Sequence, residues 1–343
     1  MTAVTLDKPA PKAKSARAEF KSDQEVRWCP GCGDYSILNQ FIRVLADLDT
    51  PRENHVLVSG IGCSSRFPYY VDCYGIHSIH GRAPTIATGI KALRPELTVW
   101  VVTGDGDGLS IGGNHLLHAL RRNVDIKVLL FNNRVYGLTK GQYSPTSLAG
   151  MRTKTSPGGS IETPLDPLRL ALTAGASFVA RSIDTDGPHL YQTLKRAAEH
   201  KGAAFVEIFQ NCPVFNDEVH GHLTNKTGKA ENVLYLEAGK PLVYGAEGDK
   251  GIAIDARLHP EVVAATDKRV LVMDEGAEPL AQLLTGLHHP EFPTPVGVYR
   301  SVQRPTFEGE LAQRLPENRK IDKSRLQGLL ESGPTWRIGV DWL

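Results

Sequence analysis

Residues 98–133 read TVWVVTGDGDGLSIGGNHLLHALRRNVDIKVLLFNN, and the reading of the fold starts there. An apolar run, Val99 to Val102, leads into Thr103-Gly104-Asp105-Gly106-Asp107. A helix-length segment follows, and a second apolar run, Ile126 to Phe131, ends at Asn132-Asn133. Two runs rich in β-branched residues on either side of a helix spell a β-α-β unit of a parallel sheet. Its polar residues sit just past the carboxyl ends of the strands, where open α/β sheets bind their ligands.

The chemistry of this stretch suits a diphosphate and a hard cation. Glycines at 104, 106 and 108 let backbone approach a phosphate, and a helix N-terminus behind them favours negative charge. Asp105 offers a carboxylate and Asn133 an amide oxygen, both suited to the octahedral oxygen coordination of Mg²⁺. Taken alone, the glycine-rich turn is equally a tight strand-to-helix connection. Gly-Asp-Gly followed after 25 residues by Asn-Asn, with an apolar strand before each, is more specific. That pattern resembles the thiamine diphosphate fingerprint. The resemblance implies that Asp105, Asn133 and the backbone carbonyl of Val135 bind Mg²⁺.

A chain of 343 residues can bury a substantial core, as one large α/β domain or two ordinary ones. Its net charge of +1 gives no electrostatic case for nucleic acid or an anionic membrane. The longest apolar runs are far too short to span a bilayer. The first 24 residues, MTAVTLDKPAPKAKSARAEFKSDQ, lack the apolar core of a signal peptide and are rich in Lys, Ala and Pro. The expectation is a cytoplasmic protein whose residues 1–22 form a mobile tail. Five cysteines in so long a chain make no disulfide framework, so they are expected as thiols, metal ligands or redox groups.

Around the central unit, helices are expected over Tyr35–Leu48, Thr85–Leu93, Leu168–Ala174 and Pro188–His200. Strands are expected over His55–Ser59, Ser177–Ile183 and Ala203–Phe209. The polar, Gly/Pro/Ser/Thr-rich residues 134–165 read as a functional loop. Beyond about residue 215 the pattern weakens to a strand at Arg269–Asp274 and a helix at Glu278–Leu287. The expected fold is thus α/β, a parallel sheet flanked by helices, with an irregular C-terminal extension.

Cys29 and Cys32 form a CxxC pair opening a helix, while Cys63 and Cys212 each follow a predicted strand, at the same sheet edge as Asp105 and Asn133. Cys73 has no such position and reads as a buried or free thiol. A CxxC pair fits a thioredoxin-like dithiol, half of a structural zinc site, or half of an iron–sulfur site. A dithiol leaves Cys63 and Cys212 unexplained. Zinc does not explain placement beside a cofactor, and an iron–sulfur cluster explains both.

Six motifs occur in order: WCPGCG, GIGCSSR, HSIHGRAPTIATGIK, TGDGDGLSIGG, NNRVYGLTKGQYSPT and QNCPVFND. Together they resemble the β subunit of 2-oxoacid:ferredoxin oxidoreductases, most closely the two-subunit 2-oxoglutarate enzymes (2-oxoglutarate synthases). The likeness covers roughly residues 20–220 and extends more weakly into Pro293–Arg300. It implies that Cys29, Cys32, Cys63 and Cys212 bind one [4Fe–4S] cluster, and that Ile61, Gly62, Cys63, Ser64, His80, Gly106, Asp107, Gly137 and Leu138 contact thiamine diphosphate. It also implies a basic residue at Arg66 that, with Leu138 and Lys140, helps hold the 2-oxoacid. Residues 23–220 would be the thiamine diphosphate-binding domain with its iron–sulfur ligands, and 221–343 an extension packing on it or on a partner. No eight-cysteine ferredoxin-like insert is present, so one cluster is implied. The pyrimidine-binding module and its activating glutamate would lie on a separate α subunit, in an α2β2 assembly. Coenzyme A would be the co-substrate and ferredoxin the electron partner.

Several residues keep a plainer reading. His77/His80 and His115/His118 have HxxH spacing but no third ligand nearby, so zinc is disfavoured. His115 and His118 read as packing residues, and His80 as a polar contact to cofactor or substrate. Arg66 is either a surface arginine or a bidentate carboxylate clamp. A clamp would favour 2-oxoglutarate over pyruvate. The competing classes are the same chemistry on other 2-oxoacids, a non-redox thiamine decarboxylase or carboligase, and a zinc-stabilised scaffold subunit.

Overall fold

The computed structural model describes residues 16–315 and 323–334. Among them the strands, in chain order, are β1 (His55–Ser59), β2 (Tyr74–His77), β3 (Thr98–Gly104), β4 (Ile126–Asn132), β5 (Val135–Tyr136), β6 (Gln142–Tyr143), β7 (Phe178–Ile183), β8 (Ala204–Phe209), β9 (Val233–Leu236), β10 (Val243–Tyr244), β11 (Lys250–Ile254), β12 (Pro260–Ala264) and β13 (Thr294–Ser301). Eight of them form the main sheet, in the order β2-β1-β3-β4-β8-β7-β13-β9. From β2 through β7 all neighbours are parallel. Strand β13 runs antiparallel to β7 and carries β9 parallel to itself.

Alternation along β3 explains the layers. Val99 and Val101 belong to one buried cluster, Trp100 and Val102 to the other, because successive strand residues point to opposite faces. The first face is covered by helices α4 (Ala83–Leu93), α6 (Gly113–Arg121) and α7 (Pro167–Thr173), the second by α2 (Asp34–Asp47) and α8 (Gly187–Glu199). A sheet covered on both faces calls for mostly apolar strands, and β4 is buried at every residue, its Lys127 paired with Asp125. Two other helices matter below: α3 (Phe67–Tyr70) and α5 (Asp105–Leu109). Among the described residues no helix is long and apolar enough to cross a membrane.

The structure departs from the sequence reading in four places. The helix-length segment after Asp105 is two helices, α5 and α6, broken at Ser110–Gly112, where Gly112 packs on Gly81; a β-carbon on Gly112 would lie 2.6 Å from the Asp107 carbonyl oxygen. Arg269–Asp274 is not a strand: it makes an isolated bridge, Val272 to Pro241, and its Leu271 and Met273 hydrogen-bond through the backbone to Leu242, Ile252, Gly239 and Lys240. Nor is the stretch after 220 merely irregular. It supplies β9 and β13 to the main sheet, and β10, β11 and β12 form a small antiparallel sheet. Strands β9 and β10 are short, and the eight-residue β13, interior between β7 and β9, is interrupted by Pro295 and Gly297, so they carry little periodic signal. Residues 1–15 of the expected tail lie outside the described residues, but its last residues are packed: Phe20 is buried and Lys21 pairs with Val71.

One ion pair crosses the sheet's interior. Arg181 on β7 faces Glu207 on β8, Nε to Oε2 at 2.7 Å, and both are buried. Arg181 also donates to the Tyr299 hydroxyl on β13 at 3.0 Å, and Glu207 accepts from Asn132 Nδ2 at the end of β4 at 2.7 Å. Removing one partner leaves a buried charge uncompensated. Arg181→Met is therefore expected to lower stability by about 3–5 kcal/mol, read as a lower urea midpoint. Adding Glu207→Gln to it should recover a substantial part of the loss, because no charge is then stranded; no recovery would show that the pair's charges do not matter.

Candidate active site

The site lies where the strand order turns, beyond the carboxyl ends of β1, β3 and β4. Gly60–Ser64 leaves β1, Asp105–Asp107 leaves β3, and Asn133–Thr139 leaves β4. From these segments Ile61–Ser64, Asp105–Asp107, Asn133 and Val135–Thr139, with His80 and Asp34, line one cleft. Every residue expected to touch thiamine diphosphate lines it: Ile61, Gly62, Cys63, Ser64, His80, Gly106, Asp107, Gly137 and Leu138. So do Asp105, Asn133 and Val135.

Two carboxylates at the start of α5 are held very differently. Asp107 is 3% exposed and saturated with donors. Its Oδ1 accepts from Ile61 N at 3.2 Å, Gly81 N at 2.8 Å and His80 Nδ1 at 2.8 Å; its Oδ2 accepts from Thr103 Oγ1 at 2.6 Å. It thereby ties the loops after β1, β2 and β3 together. Donation from Nδ1 fixes the His80 tautomer with Nε2 unprotonated in the neutral ring. A β-carbon at position 60 would lie 1.9 Å from Asp107 Oδ2, so only glycine fits beside this carboxylate.

Asp105, 2% exposed, has fewer partners. Ser144 Oγ and Thr146 Oγ1 donate to its Oδ2 at 2.5 and 2.6 Å, and burial pushes its pKa up to about 6. Among the described residues no lysine or arginine forms an ion pair with it. A buried carboxylate without a cation, beside the Asn133 amide and the Val135 backbone, is the donor set a hard divalent ion takes. The loop of residues 134–165 is anchored to this point. After the β5–β6 hairpin, Ser144 and Thr146 turn inward onto Asp105, and the Thr146 hydroxyl also lies 2.9 Å from Asn132 Oδ1, its one proton shared between the two oxygens. Tyr136 closes over α5, its hydroxyl donating to the Gly106 carbonyl at 3.0 Å; a β-carbon at 106 would lie 2.2 Å from the Tyr136 ring.

The cysteines gather behind the cleft. A tight turn, Cys32 N to Cys29 O at 3.0 Å with Gly31 at φ +81°, presents the CxxC pair. Gly33 N donates to Asn211 O at 3.1 Å, which draws that turn to the segment before Cys212. The sulfurs of Cys63 and Cys212 both lie 3.7 Å from where a β-carbon on Gly137 would sit. All are free thiols. Burial pushes Cys63 up to about 11 and Cys32 well above its usual range; the nearby Asp34 carboxylate and neighbouring thiols add to both. Cys73 is elsewhere, packed against the face covered by α2. Among the described residues no three His, Cys, Asp or Glu converge on a single metal ion.

The three substrate candidates divide. Leu138 lines the cleft, half-exposed. Arg66 and Lys140 do not line it. Arg66, at the end of a 3₁₀ turn over Ser64–Arg66, donates to the Arg27 carbonyl, and Lys140 is exposed at φ +79°. His77 is engaged by the Ser65 carbonyl at 2.8 Å and the Ser59 hydroxyl at 3.1 Å. His118 is exposed rather than packed, since α6 turns that face to solvent. Sequence reasoning missed Asp34, Tyr136, Ser144, Thr146 and Gln210. Asp34 and Gln210 adjoin cysteine motifs, whereas the hydroxyls on Asp105 carry no spacing signal.

The fold and this cleft define the diphosphate-binding module of a thiamine-dependent enzyme. Residues 60–208 match the family model of the thiamine pyrophosphate enzyme C-terminal TPP binding domain. The chain is 48% identical over 333 residues to the 2-oxoglutarate oxidoreductase subunit KorB of Mycobacterium tuberculosis, covering 93% of this chain and 88% of that one. It is 44% identical over 188 residues to the 2-oxoglutarate synthase subunit KorB of Methanocaldococcus jannaschii, covering 55% of this chain and 70% of that one. A solved structure of 2-oxoglutarate:ferredoxin oxidoreductase from Magnetococcus marinus, with 2-oxoglutarate, coenzyme A and succinyl-CoA bound, superposes with a TM-score of 0.73 at 34% identity, over 95% of this chain and 98% of that one. The chain belongs to the β subunits of the 2-oxoacid:ferredoxin oxidoreductases, in the 2-oxoglutarate synthase branch.

Asp107→Ala would orphan two backbone N–H groups and the Nδ1 of His80. Each buried donor left unmet costs about 1–3 kcal/mol. The variant should unfold at a clearly lower urea concentration than wild type and bind thiamine diphosphate more weakly. Wild-type values for both would show that the loops hold their places without this carboxylate.

Proposed function

We propose that this chain, paired with an α subunit in a cytoplasmic α2β2 complex, carries out coenzyme A-dependent oxidative decarboxylation of 2-oxoglutarate to succinyl-CoA, reversibly, with electrons leaving through one [4Fe–4S] cluster to ferredoxin. The observation that carries this reading is Gly137. It lines the cleft, while the Cys63 and Cys212 sulfurs stand close behind it. The cleft and the thiols thus meet at Gly137 and at Cys63, which itself lines the cleft.

The residues present fit the groups this requires. Asp105, Asn133 and the Val135 carbonyl would hold Mg²⁺ against the diphosphate, and Cys29, Cys32, Cys63 and Cys212 would hold the cluster. When bound, thiamine diphosphate supplies the electron sink for decarboxylation and the cluster supplies one-electron capacity. The chain itself supplies position. Asp107 fixes the three loops, Tyr136 and Gly106 shape the floor, and His80 presents a ring nitrogen of fixed tautomer to the cleft. The pyrimidine half of the cofactor and its activating glutamate are assigned to the α subunit. A broader 2-oxoacid range has support from relatives named only as 2-oxoacid:ferredoxin oxidoreductase subunit beta, such as that of Saccharolobus solfataricus, 46% identical over 192 residues.

Iron and acid-labile sulfide in the anaerobically purified complex test the reading. Ser at Cys29, Cys32, Cys63 or Cys212 should lower iron per complex and electron transfer to ferredoxin, and Cys73→Ser should not. A complex that contains no iron, or loses it only in Cys73→Ser, refutes the ligand set. The isolated chain should show no 2-oxoacid oxidation.

Arg66 gives a separate test of substrate choice. If it leaves the Arg27 carbonyl to pair with the distal carboxylate of 2-oxoglutarate, Arg66→Ala loses a charged hydrogen bond worth roughly 1.5–3 kcal/mol. That corresponds to roughly a 10- to 100-fold fall in kcat/KM for 2-oxoglutarate, with a much smaller fall for 2-oxobutyrate. Equal falls would remove the specificity argument. No fall with either substrate would leave Arg66 as a tie to residue 27.

A further inference from the structure

Gln210 lies between the two halves of the site and belongs to neither ligand set. It follows β8 directly, is 1% exposed, and its backbone N–H donates to the Asn132 carbonyl at 3.0 Å. Its side chain makes three contacts. Oε1 accepts from Asn133 Nδ2 at 2.8 Å; Nε2 donates to the Asn211 carbonyl at 2.6 Å and to Cys32 Sγ at 3.2 Å.

The amide's orientation is fixed from both ends. The Asn211 carbonyl can only accept, so the Gln210 NH₂ must face it, and with it Cys32. The Val135 N–H can only donate, and Asn133 Oδ1 accepts from it at 3.2 Å. Asn133 therefore turns its own NH₂ to Gln210 and keeps its oxygen on the Val135 side, where the cation donors gather. Gly33 permits the close approach: a β-carbon there would lie 3.0 Å from Gln210 Cγ and 1.9 Å from Asp184 Oδ2.

We propose that Gln210 is a positioning residue that couples the two sites, its carbonyl orienting Asn133 for the cation and its NH₂ hydrogen-bonding the Cys32 sulfur to raise the cluster's reduction potential. The inference rests on the cluster assignment made above. A donor aimed at a ligating thiolate stabilises the more negative, reduced state, so it raises the potential. An outer-shell partner that orients a metal ligand is commonly worth 10- to 100-fold in metal affinity. One buried amide doing both keeps Asn133 and Cys32 in fixed relation, which suits electron transfer from the cleft to the thiols.

The test compares wild type, Gln210→Met and Gln210→Leu in the anaerobically purified α–β complex, with Gln210→Asn in reserve should neither fold. Ser144→Ala is the control, because Ser144 reaches Asp105 and no cysteine. Two quantities are read: the midpoint potential of the cluster's EPR signal, and the Mg²⁺ concentration giving half-maximal thiamine diphosphate binding. In the Gln210 variants the midpoint should shift downward and the Mg²⁺ requirement should rise about 10-fold. Ser144→Ala should raise the Mg²⁺ requirement and leave the midpoint in place. Iron-replete Gln210 variants with a wild-type midpoint overturn the proposal while leaving the cluster assignment standing. An iron-free wild-type complex overturns the cluster assignment first, and this inference with it.

Discussion

Asp105 and Asp107 stand two residues apart at the carboxyl end of β3, both out of water, and the rest of the site follows from how each is satisfied. A buried carboxylate needs donors or a cation, or it takes a proton. Asp107 has donors from two loops and from strand β3, so it is a structural knot. Asp105 has two hydroxyls and no cation, so burial dominates and raises its pKa. One of the pair binds the protein to itself, and the other keeps an unmet demand for positive charge at the cleft.

This demand is transmitted into the sheet. Thr146 bridges Asp105 to Asn132, Asn132 reaches Glu207, and Glu207 pairs with Arg181, which donates to Tyr299. The chain of polar contacts crosses β4, β8, β7 and β13, so the antiparallel strand contributed by the last third of the sequence helps hold the geometry around Asp105. A boundary at residue 220 between a cofactor domain and an appendage therefore has no physical counterpart in this sheet.

The central strands were legible because they are buried on both faces: Val99–Val102 and Val128–Phe131 are continuous apolar runs. The cleft's lining was legible for a different reason. Close backbone approach demands glycine, and metal or phosphate contact demands a few residue types, so GDG, NN and GIGC stand out from any background. What was not legible acts at long sequence distance through common residues. Ser144 and Thr146 sit about 40 positions from Asp105 in a loop full of serine and threonine, and nothing local marks these two. Arg66 is the opposite case. A basic residue three positions past Cys63 was conspicuous in the sequence, yet its guanidinium bonds a main-chain carbonyl, a contact that spacing cannot reveal. Strand β13 was missed as a strand because a proline and a glycine interrupt it and its neighbours are nonsequential.

The acidic groups at this edge also have a common sign. Burial lifts Asp34 to about 7 and Asp105 to about 6, against an ordinary 3.8, and lifts the Cys32 and Cys63 thiols as well. A carboxyl whose folded pKa is raised contributes stability that is fully present below the unfolded value and is lost as pH rises through the folded one. For the two aspartates that window runs from about 4 to about 7. At neutral pH the chain by itself would hold these groups either protonated or charged at a cost. A cation bound here would invert the balance, replacing a proton and giving the anionic form its partner. The same burial that weakens the cation-free chain at neutral pH would thus favour positive charge at this edge, at the Asp105 carboxylate and at the thiols.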